Sequence, residues 1–139
     1  SGAIMAGLDP HDTDVLMGIG GAPEAVIAAC ALKCIGGDMQ CKLWPRDDEE
    51  RQRAAAAGIT DLEKVLTIDD LVKSDDVFFA ATGVTGGEFL HGVRFAGAWG
   101  ETHSLMMRSR SGTTRLIDAR HNFQRKRPPE GSRPIRPAL

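Results

Sequence analysis

Tyrosine is absent, and aromatic side chains make up only 5% of the 139 residues. So few rings leave little from which to build a base-stacking surface for single-stranded nucleic acid. Charge of one sign is also missing in excess. The formal net charge is -2, which gives no general attraction to nucleic acid or to a membrane surface. No apolar run approaches the about 20 residues that span a bilayer, and no secretory pattern is present. Cysteine is scarce and odd in number: Cys30, Cys34 and Cys41. That count argues for reduced thiols and a cytoplasmic setting. Cys30 and Cys34 lie four apart on one helical face, but no His or further Cys completes a zinc set, so packed, inert thiols are the plainer reading.

What remains is the composition of one globular domain, 42% hydrophobic and 26% charged. The first residues, Ser1 to Leu8, lack an initiator Met and read like the middle of a helix, as in a fragment or a fused remainder. Residues 3–8 are a helical remnant and 9–12 a turn. Residues 13–17 then read as an apolar strand. The glycine turn Gly18-Ile19-Gly20-Gly21 leads to a helix over about 24–35, with Pro23 suited to its first position and Gly36-Gly37 to its end. A second strand is expected over 39–43. A helix then runs from the acidic Asp47-Asp48-Glu49-Glu50 to Ala57, closed by Gly58. A short strand at 64–66 precedes a small helix capped by Thr67 with Asp70 three residues on.

Residues 76–83 form a continuous apolar run, expected to be a strand buried on both faces. Strands at 92–95, 102–108 and 113–120 follow, the last two joined by the hairpin turn Ser109-Arg110-Ser111-Gly112. From about Gln124 the chain turns basic and proline-rich, the pattern of a disordered or extended tail. The alternation of elements predicts an α/β layered sandwich with a mixed sheet over residues 1–123 and a tail over 124–139.

The glycine turn carries the most chemistry. It places backbone N–H groups and a helix N-terminus where an anion could sit. It is not a dinucleotide fingerprint, because Pro23 replaces the third glycine and Asp38 precedes the second strand instead of ending it. It is not a P-loop, because no Gly-Lys-Ser/Thr follows. A plain strand-to-helix turn remains open. Glu24 in the first helical turn suits the helix dipole on its own. It also suits a hard divalent cation shared with a substrate phosphate. His91, His103 and His121 show no ligand spacing. Thr82-Gly83-Val84-Thr85 reads equally as a substrate loop and as a plain turn. Arg108, Arg110 and Arg115 could meet a distal phosphate or simply lie exposed on a hairpin.

The run Asp14-Val15-Leu16-Met17-Gly18-Ile19-Gly20-Gly21-Ala22-Pro23-Glu24 resembles the signature of class II fructose-1,6-bisphosphatases, including those that accept sedoheptulose 1,7-bisphosphate. Lys33-Cys34-Ile35-Gly36-Gly37, Ala57-Gly58-Ile59, Lys64-Val65-Leu66, Asp76 to Thr85, Arg108 to Thr113 and His121 match in order. The resemblance covers about residues 2–123. It implies the layered fold of the lithium-sensitive sugar phosphatase superfamily, here its C-terminal domain. It also implies Mn2+- or Mg2+-dependent hydrolysis of fructose 1,6-bisphosphate in gluconeogenesis, by a cytoplasmic and oligomeric enzyme.

By position, Glu24 resembles a metal-ligand glutamate. Gly21 resembles a substrate-contacting glycine, and Gly18, Gly20, Gly21 and Ala22 are the candidate substrate- and phosphate-binding residues. The other metal ligands, the threonine near the attacking water and the Asp-Gly-Asp substrate segment belong to an N-terminal half not found here. No catalytic residue is therefore expected in this chain. Ala25 stands where the family has Gly, Gly86 where it has Asp, and Glu101 where it has a small hydroxyl residue. A non-catalytic sugar-phosphate binding or regulatory module is the alternative, and a dinucleotide-binding domain a third option.

Overall fold

The computed structural model describes residues 15–87 and 89–126. The expectations for residues 3–12 and for the tail beyond Lys126 lie outside the described residues.

Helix α1 (Ala22–Ile35) is followed by strand β1 (Gln40–Cys41), helix α2 (Asp48–Ala56), strand β2 (Leu66–Thr67) and the short helix α3 (Ile68–Leu71). Strands β3 (Phe78–Thr82), β4 (Arg94–Ala96), β5 (Trp99–Arg108) and β6 (Thr113–Asn122) complete the order. The α/β character is as the sequence implies. The mixed sheet is not found: every pairing among the described residues is antiparallel. The strands at the C-terminal end follow one another through turns and one loop without a covering helix, and such connections give antiparallel neighbours.

β5 is the centre of the main sheet. One of its edges is filled by β6 over ten residues, from Trp99↔Asn122 to Arg108↔Thr113. The other edge is shared, with β3 pairing to Ser104–Arg108 and β4 to Trp99–Glu101. The β5–β6 turn closes with the Gly112 N–H on the Ser109 carbonyl (3.2 Å), and Gly112 sits at φ 57°, where only glycine is unstrained. β1 and β2 form a separate two-stranded ribbon.

α1 lies across β3 and β5 and touches α3. The core is the seam between them: Ala29, Ala31, Cys34, Val72, Val77, Phe79, Leu105 and Met107. β3 is therefore buried on one face only, not on both. Phe79 points under α1, while Phe78, Ala80 and Thr82 are exposed on a face that no described helix covers.

Local signals hold where they are self-contained. α1 ends at Gly36 (φ 76°), and Gly37 N–H reaches back to the Leu32 carbonyl (3.0 Å). Asp47 caps α2 by accepting the Glu50 N–H (2.8 Å). Thr67 and Asp70 form a reciprocal capping box on α3. The start of the tail folds into a turn, with Lys126 N–H on the Asn122 carbonyl (3.0 Å).

The strand expected at 13–17 is not formed in its described part. Val15, Leu16 and Met17 are irregular and exposed. A strand needs a neighbour to satisfy its backbone, and none of the described strands pairs with this segment. No described helix is long and apolar enough to cross a membrane.

Candidate functional site

The glycine segment meets α1 at Gly21, which caps the helix in an extended conformation (φ -70°, ψ 151°) with no side chain bonded to the first amides. The first helical bond runs from Ala25 N–H to the Gly21 carbonyl (3.0 Å), and Pro23 lies in the opening turn. The N-terminus of α1 is thus free of a competing side-chain cap. Glu24 is the acidic residue of that turn, and its carboxylate folds back over Gly21. A Cβ on Gly21 would overlap that carboxylate. Gly18 and Gly20 have open space around them.

Gly21 and Glu24 are therefore brought together, while Gly18, Gly20 and Ala22 adjoin them in sequence, and all five are exposed. The chemistry on offer is backbone amides with positive helix-end character beside one carboxylate. A metal ion needs more donors. Among the described residues no three His, Cys, Asp or Glu side chains gather to hold one. Glu24 fits as one hard oxygen ligand and does not by itself make a metal centre.

The remaining candidates separate. Arg108 is committed to the scaffold. Its Nε and Nη2 donate to the two oxygens of Asp76 (2.8 and 2.6 Å), and its guanidinium lies 4.6 Å from the Phe78 ring centre. The paired guanidinium beside Asp76 holds that carboxyl below its ordinary range. Arg110 approaches the same carboxylate (3.9 Å), and Arg115 is exposed.

Thr82-Gly83-Val84-Thr85 reads as a turn that continues the sheet. Thr82 Oγ1 meets Ser104 Oγ (2.9 Å), Gly83 N–H donates to the His103 carbonyl (3.0 Å), and Val93 N–H to Val84 (3.1 Å). Glu101 pairs with its cross-strand neighbour Arg120 (3.6 Å), which stacks over Trp99 (4.8 Å). Cys34 is buried and donates to the Val77 carbonyl (3.5 Å), and burial pushes its thiol pKa up, as suits an inert packed residue.

One juxtaposition escapes sequence reasoning. His91 and His103 stack with ring centres 4.8 Å apart, and the His91 backbone N–H donates to His103 Nδ1 (3.1 Å). That bond places the neutral ring's proton on Nε2. The pair lines a shallow cavity of about 260 Å3 with Arg94, Glu101, Asp118 and Arg120. The two histidines are twelve positions apart, joined through loop and strand, so no short-range spacing signals the contact. His121 is elsewhere, bonded to Thr102 (3.0 Å).

An exposed glycine segment, a helix N-terminus without a side-chain cap and one carboxylate thus adjoin one another on an α/β scaffold. The model of the bacterial fructose-1,6-bisphosphatase family, glpX-encoded, matches residues 1–121, and the chain belongs to that family. It is 38% identical over 134 residues to the fructose-1,6-bisphosphatase class 2 of Haemophilus influenzae, covering 87% of this chain and 40% of the relative. Two proteins of Synechococcus strains, named D-fructose 1,6-bisphosphatase class 2/sedoheptulose 1,7-bisphosphatase, are each 38% identical over 133 residues. Those matches cover 87% of this chain and 38% of either relative. The chain thus spans about two fifths of the length of the curated relatives it matches.

Proposed function

We propose that this chain is the C-terminal part of a class 2 fructose-1,6-bisphosphatase, over residues 1–123, followed by a basic tail. The reaction is hydrolysis of the 1-phosphate of fructose 1,6-bisphosphate. Water attacks phosphorus, the P–O bond to the sugar breaks, and fructose 6-phosphate and inorganic phosphate leave. Sedoheptulose 1,7-bisphosphate is a second substrate of the same chemical kind, as the Synechococcus relatives' names suggest.

The observation that carries the proposal is the placement of Glu24 beside Gly21 at an uncapped helix N-terminus, within the matched region. Glu24 would hold Mn2+ or Mg2+ through its carboxylate, as one ligand among several. The Gly20-Gly21-Ala22 backbone offers amides to a substrate oxygen. Bound divalent metal would supply charge neutralisation at phosphate and a more acidic water. A single carboxylate cannot hold the two ions such hydrolysis uses, so the isolated chain is inactive.

The test is a chimera in which this chain replaces the matched region of the Haemophilus influenzae relative. Glu24→Gln in an active chimera should cut kcat for fructose 1,6-bisphosphate by about 100-fold or more, the scale of losing one key transition-state contact. Unchanged turnover in a folded Glu24→Gln chimera removes Glu24 from the site.

A further inference from the structure

β3 ends at Thr82 and β4 begins at Arg94, and between them the chain doubles back on itself. The Val93 N–H donates to the Val84 carbonyl (3.1 Å), and the Gly87 N–H to the Leu90 carbonyl (3.2 Å). The two limbs of this loop meet through glycines. A Cβ on Gly83 would overlap the His91 carbonyl, and one on Gly92 the Gly86 nitrogen. Phe89 and Leu90, on the returning limb, pack against the core.

A side chain of β5 holds that limb. The His91 N–H donates to His103 Nδ1 (3.1 Å), and the two rings stack with centres 4.8 Å apart. A neutral imidazole accepts a hydrogen bond only through its bare nitrogen, and an imidazolium, with N–H on both nitrogens, accepts none. A proton and the His91 amide therefore compete for one atom. A protonated His103 would set N–H against N–H, and a second proton on His91 would stack like charge on like charge.

Among the described residues, the charged groups that share the cavity with the two rings are Arg94 of β4, Glu101 of β5, and Asp118 and Arg120 of β6. Arg120 is paired with Glu101 (3.6 Å). That leaves Arg94 and Asp118, the latter directly across the ladder from His103, with opposite signs. Glu88 of the loop lies outside the described residues. The bond and the stack then set the direction of any response to acid.

We infer that His103 is a proton-operated latch: bare at Nδ1 it holds the β3–β4 loop on the sheet, and protonated it releases the limb that carries Phe89 and Leu90. The latched state binds fewer protons than the released one, so falling pH shifts the balance towards release. Imidazole changes charge between about pH 5 and pH 8, so the latch works in the physiological range.

Hydrogen exchange of this chain, followed by NMR across pH, tests the latch. Protection factors divide out the chemical dependence of exchange on pH. The reference is the Ser109 amide, which donates to the Val77 carbonyl at the other end of β3 (3.0 Å). Protection of the His91 amide should fall about tenfold or more between about pH 7.5 and about pH 5.5, while that of Ser109 holds, as for a local opening. A His91 amide that is unprotected at the upper pH, or whose protection is constant or falls only in step with Ser109, overturns the proposal. The 15N shift of His103 Nδ1 should be that of a bare nitrogen at the upper pH, and a protonated Nδ1 there also overturns it.

Two variants separate the rings. His103→Phe keeps a flat ring beside His91 but no acceptor, so the His91 amide should be unprotected at every pH. His91→Phe keeps the backbone N–H, so the pH dependence should survive. A dependence that persists in His103→Phe, or is lost in His91→Phe, contradicts the latch. If His103→Phe also lowers Ser109 protection, His91→Phe and the 15N titration of the unaltered chain decide. Glu88→Gln should leave the fall in place, and its loss would assign the switch to that carboxylate instead.

Discussion

Leu105 and Leu116 face one another across the β5–β6 ladder, yet Leu105 is fully buried and Leu116 is 61% exposed. Directly opposed residues share one side of the sheet. The difference is therefore the edge of α1, which covers β3 and β5 and stops short of β6. Truncation should read that edge as free energy. Leu105→Ala should cost about 2–5 kcal/mol, the range for a buried leucine that leaves a cavity. Leu116→Ala should cost at most about 0.5 kcal/mol, as for an exposed site. Urea unfolding of the two variants checks this; equal losses would show that the seam under α1 is not the core.

Gly21 and Glu24 give a second prediction. The atom that a Gly21 methyl would displace is the far end of a flexible side chain. Gly21→Ala should therefore change stability by less than about 1 kcal/mol, the usual span of Gly and Ala at an N-cap. It should still swing the carboxylate away from the helix end. In the chimera, turnover should fall while the melting temperature stays within a few degrees. A fall in stability with unchanged turnover would mean that Glu24 acts only on the helix.

Three depressed carboxyls set the acid limit. The Arg46 side chain holds Glu50 down to about 2, from an ordinary 4.5. The Thr67 backbone N–H, with the Lys64 and Thr67 side chains, holds Asp70 down to about 2, from 3.8. Arg108 lowers Asp76 as well. A carboxyl whose folded pKa is depressed stabilises above its unfolded value and loses that contribution as pH falls through the folded one. The urea midpoint should therefore fall between about pH 4.5 and pH 2. Glu50→Gln with Asp70→Asn should flatten that fall. A midpoint that drops as steeply in the double variant would place the acid sensitivity elsewhere.

Features that depend on a few neighbouring residues were legible in the sequence. The Thr67–Asp70 capping box, the Gly36 stop and the Ser109–Gly112 hairpin each close on themselves within a turn. Features that depend on what lies opposite were not. Residues 76–83 look buried on both sides, yet one face of Phe78–Thr82 is exposed, with no described element over it. Val15–Met17 has the composition of a strand and pairs with none of the described strands. In both, composition reports a burial that the described chain does not supply. Gly21 and Glu24 were legible as neighbours in sequence and remain so in space. The His91–His103 stack was not, because only the path of the loop into β4 and β5 brings them together.

The most direct test is phosphate release from fructose 1,6-bisphosphate by the isolated chain with Mn2+, beside its Glu24→Gln variant. No release above the blank is predicted for either, because one carboxylate at the end of α1 cannot assemble a two-metal site. Robust turnover that vanishes in Glu24→Gln would contradict this and would mean that the chain carries a complete active site of its own.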